Sequence, residues 1–195
     1  MTNHKILTRE QFVSMPWKNG KGETLELLHI QDAAGTILRI SQAMVVEAGE
    51  FSDFSALERH LVLIKGNGID LTHKSANKIK QHELKQLLDI AVFDGGDITY
   101  AELKDGPITD LNIMVRAQGY KVQVSAVQAS EEHLCSGTDH RYFYANQQSI
   151  MSYNTVAADL QLPKNSLLTM DQTKHYSLRS GNGVLIRFVA ENSAI

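Results

Sequence analysis

The sequence predicts an all-β fold, because short segments alternate apolar and polar side chains and turn signals separate them at short intervals. Residues 36–46, TILRISQAMVV, alternate a largely apolar face with a mixed one. The apolar face carries Leu38, Ile40, Gln42 and Met44, and the mixed face carries Ile37, Arg39, Ser41 and Ala43. Residues 121–127, KVQVSAV, and residues 184–188 repeat the alternation, so all three segments are predicted to be half-buried strands.

Glycine-containing turns punctuate these segments. Residues 66–68 and residues 181–183 both read Gly-Asn-Gly, and an Asn-Gly pair favours the type I′ turn of a β-hairpin. Residues 95–96 (Gly-Gly) and 105–107 (Asp-Gly-Pro) mark two further turns. Many short strands with such turns indicate a sandwich or a barrel, and the two Gly-Asn-Gly turns hint at a duplicated β module.

Two segments depart from the strand pattern. Residues 7–15, LTREQFVSM, predict a short helix with Thr8 as N-cap, Gln11 as its capping-box partner and Pro16 at its exit. Residues 75–88, SANKIKQHELKQLL, have leucines at helical spacing and many helix-favouring residues. They predict either a helix or a polar loop that leads into a strand at residues 90–93.

The composition is that of an ordinary globular protein, with 43% hydrophobic and 21% charged residues in a chain of 195. A net charge of -3 argues against nucleic-acid and anionic-membrane partners, which select basic proteins. No apolar run approaches a membrane span or a signal-peptide core, so a cytoplasmic location is expected. The single cysteine, Cys135, is either an incidental free thiol or a reactive one activated by His133 or Arg141.

Recognisable catalytic and metal motifs are missing from the sequence. It contains no GxxxxGK[ST], GxGxxG, HExxH or GxSxG pattern. The eight histidines are scattered, and no two have the spacing of a His-x-His or His-xxx-His metal pair. Distant histidines converge on a metal in some folded barrels, but a surface or structural role is the commoner fate.

Two stretches place polar side chains where a cavity would need them. In residues 50–71, EFSDFSALERHLVLIKGNGIDL, Arg59 immediately precedes an apolar strand, a position that predicts the rim of a barrel. Its guanidinium can bind a carboxylate there through two hydrogen bonds. The alternative is a salt bridge to Glu58 or to a strand neighbour. In residues 105–119, period-two spacing puts one set of side chains on a single face: Asp110, Asn112, Met114 and Arg116. That face predicts either a polar pocket lining or an exposed sheet surface.

The only tryptophan, Trp17, lies beside a glycine-broken polar loop, in MPWKNGKGETLEL at residues 15–27. An indole beside such a loop forms either part of a pocket wall or a plug at a barrel end. In the first interpretation, Asn19 and the backbone N–H groups near Gly20 face a ligand, because glycines let the backbone approach closely.

Four ordered motifs resemble the HutD/Ves family. They are PWKNGKGETLE at residues 16–26, FSDFSALERHLVLIKGNG at 51–68, FDG at 93–95 and GPITDLNIMVR at 106–116. The resemblance implies a cupin-type fold, a double-stranded β-helix (jelly roll) with two cupin-like halves and few short helices. The expected organisation is one domain over residues 1–195, with halves near 1–120 and 121–195.

The family resemblance also implies a function. It points to a non-enzymatic binder of a small carboxylate such as urocanate or formylglutamate, regulatory in histidine utilisation or stress response. The expected ligand-binding residues are Trp17, Asn19, Gly20, Phe51, Arg59, Asp110, Asn112, Met114 and Arg116. Two departures from the family pattern, Lys21 in the first motif and Ala117 after the last, bear on the ligand.

No metal or other cofactor is expected, because residues 55–60 lack the His-x-His pair of metal-binding cupins. The alternative function is a metal-independent hydrolase or isomerase of a small carboxylate. Asp110, Glu58 or His60 would then be its general acid or base. A homodimer formed through exposed strands is a further expectation.

Overall fold

The computed structural model describes residues 4–17, 22–129, 139–153 and 159–191. Within them, one 3₁₀ helix spans Arg9–Gln11 and all other regular structure is β-strand. The first nine strands are β1 (Lys5–Leu7), β2 (Val13–Pro16), β3 (Glu23–Asp32), β4 (Gly35–Val45), β5 (Gly49–Glu50), β6 (Leu57–Lys65), β7 (Ile69–Ser75), β8 (Lys78–Leu84) and β9 (Ile90–Asp94). The others are β10 (Ile98–Leu103), β11 (Ile108–Arg116), β12 (Tyr120–Gln128), β13 (His140–Ala145), β14 (Ser149–Tyr153), β15 (Asp159–Leu162), β16 (Leu167–Thr169), β17 (Tyr176–Ser180) and β18 (Asn182–Ala190). No helix in these residues has the length or apolar content of a membrane span.

One compact unit, Val13–Tyr120, contains two antiparallel sheets. The six-stranded sheet has the order β2-β3-β4-β11-β6-β9, and the four-stranded sheet has the order β5-β10-β7-β8. Both sheets contribute side chains to one apolar core. Its buried members are Val45, Leu61, Leu63, Ile69, Leu71, Leu84, Ala91, Phe93, Ala101 and Ile108.

The second unit combines the described N-terminal residues up to Phe12 with those from Lys121 onward. Its two antiparallel sheets have the orders β1-β16-β13-β18-β12 and β15-β14-β17. Because β1 pairs with β16, the N-terminal residues belong to this unit. The expected halves, 1–120 and 121–195, differ from this arrangement, because they assign the N-terminal residues to the first half.

The alternating segments form strands as predicted. Residues 36–46 lie almost wholly in β4, residues 121–127 in β12 and residues 184–188 in β18. On the predicted apolar face of β4, Leu38 and Ile40 are fully buried, whereas Met44 is 44% exposed. The alternation therefore identified the strand, but the burial of its last residues depends on how β4 ends.

The predicted helix over residues 7–15 is a single 3₁₀ turn, and residues 13–16 belong to β2 instead. The capping contact is nevertheless formed, because the Thr8 backbone N–H donates to Gln11 Oε1 at 3.0 Å. Residues from 13 onward pair with β3, and this tertiary hydrogen bonding overrides a weak local helix preference.

Neither alternative for residues 75–88 is correct. Residues 78–84 form β8, which pairs with β7 over its whole length. The helical spacing of the leucines is misleading because Leu84 and Leu88 are buried while Leu87 is 53% exposed. Leu88 has a φ of 74°, which a right-handed helix excludes. The strand expected at residues 90–93 is present as β9.

The two Gly-Asn-Gly turns are not type I′ hairpins. Residues 66–68 join β6 to β7 and residue 181 joins β17 to β18, and in each case the two strands lie in different sheets. At the first turn Gly66 and Gly68 have positive φ and Asn67 does not, whereas type I′ requires positive φ at both central residues. Each unit thus uses this sequence where the chain crosses between its sheets.

Gly95 fixes the loop that precedes β6. Its N–H donates to the Leu57 carbonyl at 2.8 Å, and its carbonyl accepts from the Phe54 N–H at 2.9 Å. A Cβ at this position would lie 2.4 Å from the Phe54 carbonyl oxygen and 2.7 Å from that of Leu57. Only glycine fits there without moving backbone.

Gly95→Ala is expected to lower the free energy of unfolding by roughly 1–3 kcal/mol, because the added methyl group collides with two backbone carbonyls. Gly49→Ala is the matched control, since a Cβ there meets nothing within 4 Å. The control should change stability by less than about 0.5 kcal/mol. Chemical denaturation measures both, and equal stabilities for the two variants would contradict the assigned packing of Gly95.

Candidate functional site

A cavity of about 410 Å³, partly open to solvent, lies within the unit Val13–Tyr120. Much of its lining comes from one face of the six-stranded sheet. The lining residues are Trp17, Thr24, Arg39, Ser41, Ala43, Val45, Glu50, Phe51, Ser52, Phe54, Arg59, Asp110, Asn112 and Met114. Six of the residues predicted to bind ligand are therefore brought together: Trp17, Phe51, Arg59, Asp110, Asn112 and Met114.

Strand alternation explains why residues distant in sequence meet here. Side chains at every second position of a strand share a face, and antiparallel pairing aligns those faces in rows. In one row Met114 of β11 lies between Arg39 of β4 and Arg59 of β6. In the next row Asn112 lies between Ser41 and Leu61.

Exposure separates the lining into three levels. The floor consists of the buried side chains, namely Ser41, Val45, Arg59, Asp110, Asn112 and Met114. The wall consists of the half-buried ones, namely Trp17, Thr24, Arg39, Ala43, Phe51 and Phe54. The mouth is formed by Glu50 and Ser52, which are exposed.

A chain of hydrogen bonds crosses the floor. Arg59 Nη2 donates to Asn112 Oδ1 at 2.8 Å, and Asn112 Nδ2 in turn donates to Asp110 Oδ1. This arrangement orients the Asn112 amide, because its oxygen faces the guanidinium and its nitrogen faces the carboxyl group. The floor is therefore ordered before any ligand arrives.

Arg59 lies at the floor, not at the rim, and is only 4% exposed. Its Cζ lies 5.3 Å from the ring centroids of Phe51 and Phe54 and 5.0 Å from that of Phe93. Such contacts attract a cation to the ring faces. Burial lowers the Arg59 pKa to about 10, against the opposing effect of Asp110, so the guanidinium stays charged at neutral pH.

The hydrogen-bonding capacity of Arg59 is not fully used within the described residues. Its Nε is buried and has no partner there. The alternative of a salt bridge with Glu58 is wrong, since Glu58 pairs with His60 at 2.8 Å. A neighbouring strand does supply a partner, but that partner is the neutral amide of Asn112, so the contact is a hydrogen bond and not a salt bridge. A buried donor without an acceptor is costly, so an acceptor oxygen entering the cavity would be stabilised.

Asp110 is the second titratable group of the floor. Burial raises its pKa to about 7, although the Arg59 charge, the Asn112 amide and the Ala43 backbone N–H all act in the opposite direction. Below that pH the carboxyl group is largely neutral. The floor then presents a guanidinium without a full countercharge.

Arg39 is a wall residue that sequence reasoning did not single out. Its Nε donates to Glu26 Oε2 at 2.7 Å, and its Cζ lies 5.9 Å from the Phe54 ring centroid. Phe54 thus contacts both arginines of the cavity. The alternation of residues 36–46 could have identified Arg39, because Arg39 and Ser41 share the mixed face of β4 and both line the cavity.

Trp17 forms part of the wall. Its indole Nε1–H donates to Thr24 Oγ1 at 2.9 Å, and its backbone N–H donates to the Gly22 carbonyl at 2.9 Å. Gly22 is close to the ring, because an added Cβ would be 3.0 Å from an indole carbon. Asn19 and Gly20, the other predicted ligand contacts of this loop, lie outside the described residues.

Arg116 does not line the cavity, contrary to the prediction from its strand face. Its guanidinium binds both carboxylate oxygens of Asp32, at 3.0 and 2.7 Å, and the Gly35 carbonyl at 2.8 Å. Since Arg116 ends β11, its side chain reaches the β3–β4 hairpin instead of the floor. Glu58 and His60 are also absent from the lining, and His60 lies on the opposite face of β6 from Arg59.

Two histidines do converge, although not in the cavity. His73 is 1% exposed, and its Nε2 lies 2.9 Å from His82 Nδ1 while its Nδ1 lies 2.9 Å from Thr99 Oγ1. Burial is the main cause that lowers the His73 pKa to about 4, and the positive charges of His82, Lys80 and Arg59 contribute to the same shift. Among the residues that the structure describes, no group of three histidine, cysteine or acidic side chains could hold a metal ion.

Comparison with known proteins places this geometry in a family. The profile of the HutD family matches residues 9–186. The chain belongs to the HutD family. One curated relative is Protein Ves of Escherichia fergusonii, which is 36% identical over 55% of this chain and 56% of that protein. Another is an uncharacterised 21.2 kDa protein in the hutC 3′ region of Pseudomonas putida. The latter is 28% identical over 64% of each chain. These alignments span less than two thirds of the relatives' lengths.

Solved structures confirm the fold. HutD from Pseudomonas fluorescens SBW25, in a formate condition, has a TM-score of 0.78 at 22% identity, covering 96% of this chain and 98% of that one. Lactobacillus farciminis oxalate decarboxylase in a formate complex has a TM-score of 0.65 at 8% identity, covering 96% and 86%. The HutD-family chain therefore has the predicted all-β cupin-type fold with two cupin-like halves.

The donor set of this HutD-family cavity does not fit the metal site of the metal-dependent cupins. Among the described residues that line it there is no histidine, and the carboxyl groups are those of Glu50 at the mouth and Asp110 on the floor. Asp110 is hydrogen-bonded to Asn112 and lies near the Arg59 charge. A cation would meet the guanidiniums of Arg39 and Arg59 in the same space.

The raised pKa of Asp110 predicts a specific pH dependence of stability. Between about pH 4 and pH 7 the folded state holds a proton that the unfolded state has lost. The free energy of unfolding must therefore fall as pH rises through this window. Buried His73 acts with the opposite sign between about pH 4 and pH 6.5, because there the unfolded state binds the extra proton.

Asp110→Asn removes the pH dependence of stability that is due to Asp110 and leaves the one that is due to His73. The stability of the wild type relative to this variant should decrease by about 2 kcal/mol between pH 5 and pH 8. Denaturation curves at several pH values measure the difference, in which the His73 contribution cancels. Parallel pH profiles for the two proteins would contradict the assigned environment of Asp110.

Proposed function

We propose that this HutD-family protein binds a small carboxylate metabolite in the cavity, without transforming it, and has a regulatory role in histidine utilisation or stress response. The observation that supports the proposal most is the buried Arg59 guanidinium on the cavity floor. Its Nη2 is held by a neutral amide and its Nε has no partner among the described residues.

The electrostatics of the floor favour an anion. A buried charge is costly unless it is paired, and Asn112 supplies a hydrogen bond but no charge. Asp110 supplies a full countercharge only above its raised pKa of about 7. A ligand carboxylate would supply that charge at lower pH, and Arg39 adds a second guanidinium in the wall.

The size of the cavity suits a metabolite. A volume of about 410 Å³ is within the usual range of small-molecule sites. Urocanate and formylglutamate are the candidate ligands. The relative from Pseudomonas putida is described as lying in the hutC 3′ region, which supports a connection with histidine utilisation.

One observation favours a second candidate, a metal-independent hydrolase or isomerase of a small carboxylate. Asp110 lies in the cavity with a pKa near neutrality, as a general acid or base requires. Glu58 and His60 do not share this position. Conversion of urocanate or formylglutamate by the purified protein, abolished in Asp110→Asn, would favour the enzyme; binding without conversion would favour the first function.

Replacing either cavity arginine should weaken carboxylate binding. Arg59→Lys keeps the charge but loses the fork of donors, and Arg39→Gln removes the wall charge. Each should weaken carboxylate binding at least about tenfold, the effect of one lost charge-assisted hydrogen bond. Isothermal titration calorimetry with urocanate and formylglutamate measures the dissociation constants.

Arg187→Gln is the matched control, because Arg187 belongs to the other unit and pairs with Asp139 at 2.8 Å. It should bind as the wild type does. Unchanged affinity in both cavity variants, with their folds intact by circular dichroism, would contradict the proposed site.

Trp17→Leu separates the two interpretations of the indole. If the ring is a binding surface, ligand affinity should fall roughly five- to a hundredfold, as expected for a lost stacking contact of about 1–3 kcal/mol. If the ring only plugs the unit, the melting temperature of the free protein should fall while the affinity of the folded protein is retained. Titration below the melting temperature of the variant distinguishes these results.

A further inference from the structure

Two lining residues of the cavity carry opposite charges and differ in exposure. Arg59 lies on the floor and is 4% exposed, whereas Glu50 is an exposed side chain at the mouth. We infer that the cavity selects carboxylates whose far end carries a positive charge or an N–H donor, and that it discriminates against dicarboxylates. This inference rests on the proposed function, since it names the class of ligand for the same site.

The two charges come from different sheets. Arg39 and Arg59 belong to the six-stranded sheet, whereas Glu50 ends the two-residue strand β5 of the four-stranded sheet. Backbone pairing places Glu50 opposite Tyr100, and the next residue, Phe51, donates its N–H to the Thr99 carbonyl at 2.8 Å. The acidic residue is thus anchored at the mouth by regular structure.

Aromatic side chains of intermediate exposure also line the cavity. Trp17, Phe51 and Phe54 are half-buried lining residues, and the last two also contact the Arg59 guanidinium. Flat apolar rings favour a planar, weakly polar middle section in a ligand. A ligand that matches all three levels has a carboxylate, a planar centre and a cationic or N–H-bearing end.

Orientation follows from the depth of the charges. A ligand carboxylate is attracted to the floor, where burial strengthens the interaction with Arg59. The opposite end then lies toward Glu50, which attracts a cation and repels a second carboxylate. Because Glu50 is exposed, water and salt screen its effect, and the discrimination should be several-fold instead of absolute.

This polarity distinguishes the two candidate ligands. Urocanate joins a carboxylate through a planar chain to an imidazole, which has an N–H donor and becomes a cation near pH 6. Formylglutamate carries two carboxylates. The charges of the cavity therefore favour an imidazole carboxylate over a dicarboxylate.

Charge reversal at the mouth tests the inference with three probes at pH 6. They are urocanate, trans-cinnamate, which has an uncharged ring in place of the imidazole, and N-formylglutamate. In Glu50→Lys, relative to cinnamate, urocanate should bind roughly threefold more weakly or worse, and formylglutamate should bind more tightly by a similar factor. Normalising to cinnamate removes the effect of the added charge on the shared carboxylate, and the variant Glu102→Lys measures the long-range effect, which scales with the charge of the ligand.

Glu102→Lys is the matched control, since Glu102 is an exposed residue of β10 outside the cavity. It makes the same change in net charge and should change the ratios of the three dissociation constants by much less than Glu50→Lys does, because water and salt screen a charge outside the cavity. Equal shifts of the three probes in Glu50→Lys, or shifts of the same size in Glu102→Lys, would overturn the inference and leave carboxylate binding intact. Failure of the wild type to bind any of the three would overturn the proposed function and the inference together.

Discussion

The contact between the Arg59 guanidinium and the Asn112 amide is the interaction on which the cavity depends. It joins two neighbouring strands across 53 positions of sequence and keeps a cation in the interior of a β unit. Three phenylalanine rings surround that cation and limit its access to water. Because an uncompensated buried charge is destabilising, this arrangement favours the binding of an anion next to Arg59.

The other charged lining residues modify the electrostatic environment of Arg59. Asp110 lies close enough to influence Arg59, yet its burial raises its pKa, so it is a countercharge that depends on pH. Arg39 adds charge of the same sign, with Glu26 as its own partner. The result is a floor whose electrostatic balance changes near neutrality, and ligand binding and protonation of Asp110 should therefore be coupled.

The loop before β6 gives the site its shape. It supplies Phe51 and Phe54 to the wall, and Gly95 holds its backbone through two hydrogen bonds. A side chain at Gly95 would displace the same backbone that positions Phe54. Stability of the fold and geometry of the site are therefore linked at this glycine.

The sequence by itself determined the β character of the chain, the strand face bearing Asp110, Asn112 and Met114, and the family, because alternation and ordered motifs are local properties. Only the tertiary structure decided which faces meet. Arg116 shares the face of Asp110 but turns to Asp32 at the strand end, and Arg39 enters the cavity from the mixed face of β4. At both Gly-Asn-Gly sequences, where hairpins were expected, the chain instead crosses from one sheet to the other. Pairing between distant strands leaves no mark in local spacing, so these outcomes required the folded chain.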